Sequence, residues 1–170
     1  MKRILMTAIT ILLCLLLQTT IFQKIAFAGE VPNLILIVVV AFAYMRGCRE
    51  GMYIGFASGL LIDLMYGDLV GMNACFYLLV GYFVGVANEI YYSDELSVPI
   101  ILVGISDFLF NFVFYIINFM LRGRIAVATY VLDTILPETV YTVLLACIIY
   151  KPLHSLNYRL EQAEDTEEVL

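Results

Sequence analysis

The chain has 170 residues, 63% of them hydrophobic and 14% charged, with a mean hydropathy of +0.97. A soluble domain carries about 25% charged and about 45–50% apolar residues, so this composition excludes a water-soluble globular protein and leaves a polytopic membrane protein. The net charge of -6 is concentrated in one place: Glu161, Glu164, Asp165, Glu167 and Glu168 are five of the fifteen acids, ten acids face nine bases elsewhere, and no basic stripe supports nucleic-acid binding.

Met1-Lys2-Arg3 precedes an apolar run from Ile4 to Phe22, and Ala26-Phe27-Ala28 imitates a signal-peptide cleavage site. The run has nineteen residues, against about 7–15 for a signal h-region, and would reach about 29 Å as a helix, close to the hydrocarbon thickness. A retained first span with its basic end in the cytoplasm is expected. Gln23 to Glu30 reads as a polar connection. Pro32 suits the start of a second helix, where its missing N–H is an orphan in any case. That helix runs to about Met45, closed by Arg46, Arg49 and Glu50. It is short for a span, so it needs a thinned bilayer or shielding by protein.

Next come Met52 to Tyr66 and Leu69 to Val86, two apolar stretches joined by the turn Tyr66-Gly67-Asp68. Gly51, Gly55, Gly59 and Asp63 fall four residues apart and share one helix face; Asn73, Tyr77, Gly81 and Gly85 do the same on the second stretch. Glycines on such a stripe let membrane helices approach closely, so the pair is expected to form an intramembrane packing core. Asn88 to Leu96 is a polar loop, Val98 to Leu121 a full-length span, Arg122-Gly123-Arg124 a turn, and Ile125 to Tyr150 the last span. Lys151-Pro152 is expected to end it. The expected organisation is therefore an all-α domain of six transmembrane helices over residues 1–150, followed by an unstructured acidic cytoplasmic tail over 151–170.

Positive-inside counting does not fix the number of spans. Six spans place Lys2, Arg3, Arg46, Arg49, Lys151 and Arg159 inside; a single span over 52–86 exchanges the last two for Arg122 and Arg124, with the same total. Length decides instead, because those thirty-five residues would reach about 52 Å as one helix, and Gly67 to Gly71 interrupts them. Six spans put both termini inside.

Asp107, Asn111, Tyr115 and Asn118 share a broad face of the fifth span; Thr134, Glu138 and Thr142 share one on the sixth, beside a kink expected at Pro137. Ionisable groups inside spans cost at least about 2.5–3.5 kcal/mol in lipid, so they suggest a polar cavity or proton path. The alternative is hydrogen bonding between helices, the ordinary use of such groups. Asp63 is expected to be structural and not a proton carrier. Cys14, Cys48, Cys75 and Cys147 form no CxxC pair and stand with one histidine, His154, so they read as small apolar core residues plus one loop thiol, with no zinc ligand set. GxSxG, HExxH and phosphate-cradling GxxxxGK[ST] patterns are missing. No catalytic residue, metal or cofactor is expected.

Gly55-Phe56-Ala57-Ser58-Gly59-Leu60-Leu61-Ile62-Asp63, followed by Gly67, Gly71-Met72-Asn73-Ala74 and Gly81-Tyr82, resembles the signature region of the rod shape-determining MreD family. Leu136-Pro137, Tyr141 and Leu144-Leu145 resemble that family's closing pattern, with Thr142 where the family has Asn. The resemblance implies a non-catalytic component of the bacterial cell-elongation machinery in the cytoplasmic membrane, acting in lateral-wall peptidoglycan synthesis. Implied partners are MreC and, around it, RodA, a penicillin-binding transpeptidase and the actin-like MreB. It also implies a fold similar to the substrate-binding subunits of energy-coupling-factor transporters, which supply the rival function of small-molecule binding. Those subunits usually carry Ala-x-x-x-Ala on the first span for docking; here Ala8 is followed by Leu12. The residues assigned to helix packing or interaction are Gly51, Gly55, Gly59, Asp63, Gly67, Gly71, Asn73, Gly81, Gly85, Asp107, Asn111, Pro137, Glu138 and Tyr141.

Overall fold

The computed structural model describes residues 2–25, 30–66, 71–90, 97–117 and 127–168. Its elements are all helical: α1 (Lys2–Leu17, extended by a π turn Gln18–Phe22), α2 (Leu34–Arg46), α3 (Cys48–Tyr66), α4 (Met72–Ile90), α5 (Ser97–Tyr115), the single turn α6 (Val127–Tyr130), a π turn Val131–Ile135, and α7 (Leu136–Glu168). Four described stretches are long and apolar enough to cross a membrane, namely Arg3–Phe22, Met72–Ile90, Ser97–Tyr115 and Val131–Leu160. The chain is thus an all-helical membrane protein.

The bundle is built around α2. Every residue from Leu34 to Tyr44 is buried, and α1, α3, α4, α5 and α7 all pack on it. A helix that is apolar all round needs a partner on every side, and this one has them. Its thirteen residues are short for a span because the helix is enclosed by protein. Asn33 caps it, its Oδ1 accepting from Leu36 N–H at 3.1 Å. Gly47 then takes φ 83°, a conformation that costs glycine little, and turns the chain straight into α3. α3 accordingly starts at Cys48, so Arg49 and Glu50, expected to close α2, lie in the first turn of α3.

α3 and α4 form one antiparallel pair, α5 and α7 another, with α2 between them. α4 runs on to Ile90, through Asn88 and Glu89, which were expected in a loop. Just before Pro137, where a kink was expected, the helix takes a π turn over Val131–Ile135. Widening the helix there accommodates a residue that has no N–H to donate and whose ring crowds the preceding turn.

Lys151-Pro152 does not end the last helix, as the sequence suggested it would; α7 carries Pro152 inside and continues to Glu168. Pro152 is exposed, while Leu153 and Asn157 are buried and hold the next turns against the bundle. Of the cysteines, Cys14 is buried; Cys75 and Cys147 sit on outward faces, against the expectation of core positions, and Cys48 is half-buried at the start of α3.

Candidate interaction site

The glycine positions meet one another in register. A Cβ on Gly51 would lie 2.6 Å from the Gly81 carbonyl oxygen, and one on Gly59 would lie 2.6 Å from Ala74 Cα. A Cβ on Gly55 would strike the Tyr77 carbonyl, one on Gly81 the Gly51 carbonyl, and one on Gly85 the backbone of Cys48. Each step of four along α3 meets a step of four back along α4. The two backbones therefore touch along most of their length, which any side chain on the stripe would prevent. This face is filled within the chain.

At the far end of the stripe, Asp63 closes the pair. It is 2% exposed and accepts four hydrogen bonds: Oδ2 from Gly71 N–H and Ala74 N–H, both at 2.9 Å, and Oδ1 from Asn73 N–H at 3.1 Å and Asn73 Nδ2 at 2.8 Å. The first N–H groups of a helix have no partner within it and carry its positive pole. A carboxylate from the neighbouring helix supplies both acceptor and charge. Gly71, at φ 106°, makes the turn that aims these donors at Asp63. Gly67 lies outside the described residues, as do Asn118, Arg122 and Arg124.

A second polar centre joins α2, α4, α5 and α7. Tyr77 Oη donates to Asn33 Oδ1 at 2.9 Å, and Asn33 N–H donates to Thr142 Oγ1 at 3.2 Å. Thr142 and Asp107 are fully buried, and the Asp107 carboxyl sits beside the hydroxyls of Thr139 and Thr142. Neither Asp107 oxygen closes a hydrogen bond among the described residues. Asn111 donates to the Asp107 carbonyl at 3.2 Å and lies beside the Glu138 carboxyl on α7. Pro137 precedes Glu138 in the first turn of α7, and Tyr141 stands apart, donating to the Ile25 carbonyl at 3.3 Å with its ring against Phe22.

The spacing argument missed a third centre, at the opposite end of the bundle. Arg46 is almost wholly buried; its Nε donates to Asn157 Oδ1 at 2.7 Å and its Nη1 to Thr7 Oγ1 at 2.8 Å, with its carbon 4.4 Å over the Phe42 ring. Glu50 stands 3.6 Å from Arg46 and 3.8 Å from Arg3. Thr7, Asn157 and Arg3 are far from Arg46 in sequence and share no spacing with it that could announce them, whereas Glu50 lies four residues on. The Asn33 cap was missed as well: the helix was expected to start at Pro32, but Pro32 lies one residue before the cap and α2 begins at Leu34.

The asymmetry of these three centres matters. One stripe is filled by the chain's own backbone, and two polar junctions tie distant helices together. The chain thereby holds a fixed interior and leaves the outward faces of α1, α5 and α7 apolar and exposed, with Leu5, Leu12, Ile101, Ile105, Leu144 and Ile148 among the residues there. Neither a curated protein nor a solved structure matches the chain significantly. The family model of the rod shape-determining protein MreD matches residues 1–159, nearly the whole chain and all three centres. The chain belongs to the MreD family of rod shape-determining membrane proteins.

Proposed function

We propose that this protein is a non-catalytic scaffold of the cell-elongation machinery in the bacterial cytoplasmic membrane. It crosses the bilayer six times with both termini inside, partners MreC directly, and supports lateral-wall synthesis by RodA and a penicillin-binding transpeptidase together with MreB. The observation that carries this reading is the family match over residues 1–159. The internal use of the glycine stripe supports it: with α3 and α4 committed to each other, a partner meets the outward apolar faces, presented by a core whose geometry is fixed. The six spans count α2 and α3 as crossings; α2 is enclosed by protein, which relieves it of matching the bilayer thickness alone. The rival, a substrate-binding transporter subunit, draws on the buried polar junction of Asn33, Tyr77, Asp107 and Glu138, and lacks the Ala8-x-x-x-Ala pair.

Purification of the tagged protein from its own membranes in a gentle detergent, with mass spectrometry of what accompanies it, separates the two. Recovery of MreC and the wall synthases is expected. A transmembrane coupling subunit with paired ATPases in their place would overturn the scaffold reading.

A further inference from the structure

Asp107 on α5 is 0% exposed, yet neither of its oxygens closes a hydrogen bond among the described residues. The Thr139 hydroxyl oxygen beside it on α7 is buried and likewise unpaired. Asp63 shows in the same chain what a buried carboxylate needs, namely four donors at the start of a helix. Asp107 has no such set, and the neighbour that faces it from α7 is a second carboxyl, Glu138. We propose that Asp107 and Glu138 form a proton-binding site, with one proton held between the two carboxyls and exchanged with the end of the bundle at which α2 begins.

Charge selects the ligand. The titratable groups around the pair are Tyr77 on α4, Tyr130 on α6 with Tyr115 beside it, and Glu30 just before α2. The π turn before α7 adds Asp133, which is exposed, and α2 presents only apolar side chains from Leu34 to Ala43. None of these groups brings a positive charge. Two ionised carboxyls there would repel each other with little water to screen them, and a proton removes one of the two charges. It also needs no cavity, whereas a metal ion needs room for a shell of oxygens. A carboxyl O–H gives Thr139 Oγ1 something to accept, and the Thr142 hydroxyl, which accepts from Asn33 N–H, still has its own proton to donate to the other carboxyl oxygen. Position selects the route. Glu138 is half-buried and lies beside both Asp107 and Glu30, and Glu30 is half-buried at the end of the bundle, so three carboxyls lead inward to Asp107. The proposal rests on the membrane location and not on the scaffold role.

Infrared spectroscopy reads the proton directly. The full-length protein is reconstituted in ether-linked lipid, which lacks the ester carbonyl that would mask a protonated carboxyl. At neutral pH the wild type is expected to show a protonated-carboxyl C=O band that moves to lower frequency when D2O replaces water. Asp107→Asn is expected to lose this band, because Glu138 is then half-buried and no longer repelled, whereas Asp63→Asn is expected to keep it at full amplitude. Glu138→Gln is expected to keep it as well, since Asp107 by itself is fully buried, but to slow its deuterium exchange by about a hundredfold, within what one positioned proton-transfer group contributes. Absence of the band in the wild type, its survival in Asp107→Asn, or exchange as fast in Glu138→Gln as in the wild type would each overturn the proposal. So would a band that appears only after sodium is replaced by a large organic cation, which would assign the countercharge to a metal ion. The wild-type spectrum needs no variant, and so stands even where Asp107→Asn fails to fold.

Discussion

Asp63 and Asp107 are both buried aspartates, and their surroundings give them opposite roles. Asp63 receives four hydrogen bonds from the start of α4, three of them from backbone N–H groups. Asp63→Ala strands those donors and is expected to destabilise the protein by about 1–3 kcal/mol, with Asp63→Asn in between because one acceptor oxygen remains. Thermal unfolding in a single detergent measures this, and a wild-type midpoint for Asp63→Ala would show that the cap contributes little. Cells carrying Asp63→Asn are expected to keep their rod shape; loss of shape at normal protein level and partner binding would assign a function to the charge itself. Asp107 has only the hydroxyls of Thr139 and Thr142 beside it, and neither closes a hydrogen bond to it. Asp107→Asn removes a charge that repels the Glu138 carboxyl, so it is expected to unfold no earlier than the wild type. Earlier unfolding would mean that the two hydroxyls hold the carboxylate.

The tightest element contact is that between α3 and α4. An added methyl at Gly55 or Gly59 meets backbone, which cannot rotate away, whereas one at Gly104 meets a single Val143 methyl at 3.0 Å. Gly55→Ala and Gly59→Ala are therefore expected to cost about 1–3 kcal/mol, and Gly104→Ala clearly less. Their order in a thermal or detergent-denaturation series checks this, and three equal losses would contradict backbone contact along the stripe. The stripe itself was legible, because a spacing of four with no side chains is a property of one helix. Its register was not, since which α4 residue meets which glycine depends on where Gly71 starts that helix. Helix ends were the least legible feature. Proline reads as a stop, yet Pro152 is carried because later turns of α7 have their own buried contacts.

At the scale of the molecule, α2 is the hub and the last turns of the Val131–Leu160 stretch, past Pro152 on α7, support it. Asn157 on α7 binds Arg46 at the end of α2. Truncation after Arg159 is expected to leave accumulation and thermal stability close to normal, whereas truncation after Pro152, which removes Leu153 and Asn157, is expected to lower both. Immunoblots of membranes and unfolding of the purified proteins distinguish the two. Equal loss in both would place the stabilising contacts in the acidic segment instead.

Composition alone determined that this is a helical membrane protein, because so few charges and so many apolar residues have one stable setting. Local spacing determined the glycine faces, and motif resemblance pointed to the family that the match over residues 1–159 establishes. Only the tertiary structure decided which helix lies at the centre. The uniform hydrophobicity of α2 is compatible with lipid or with protein on every side, and one-dimensional periodicity cannot tell these apart. It also decided the partners of the buried polar groups: Arg46 with Thr7 and Asn157, Asn33 with Tyr77 and Thr142, and Asp107 with no hydrogen bond at all among the described residues. Those pairings follow from how the helices pack, and residues more than a hundred positions apart leave no periodic mark of their meeting.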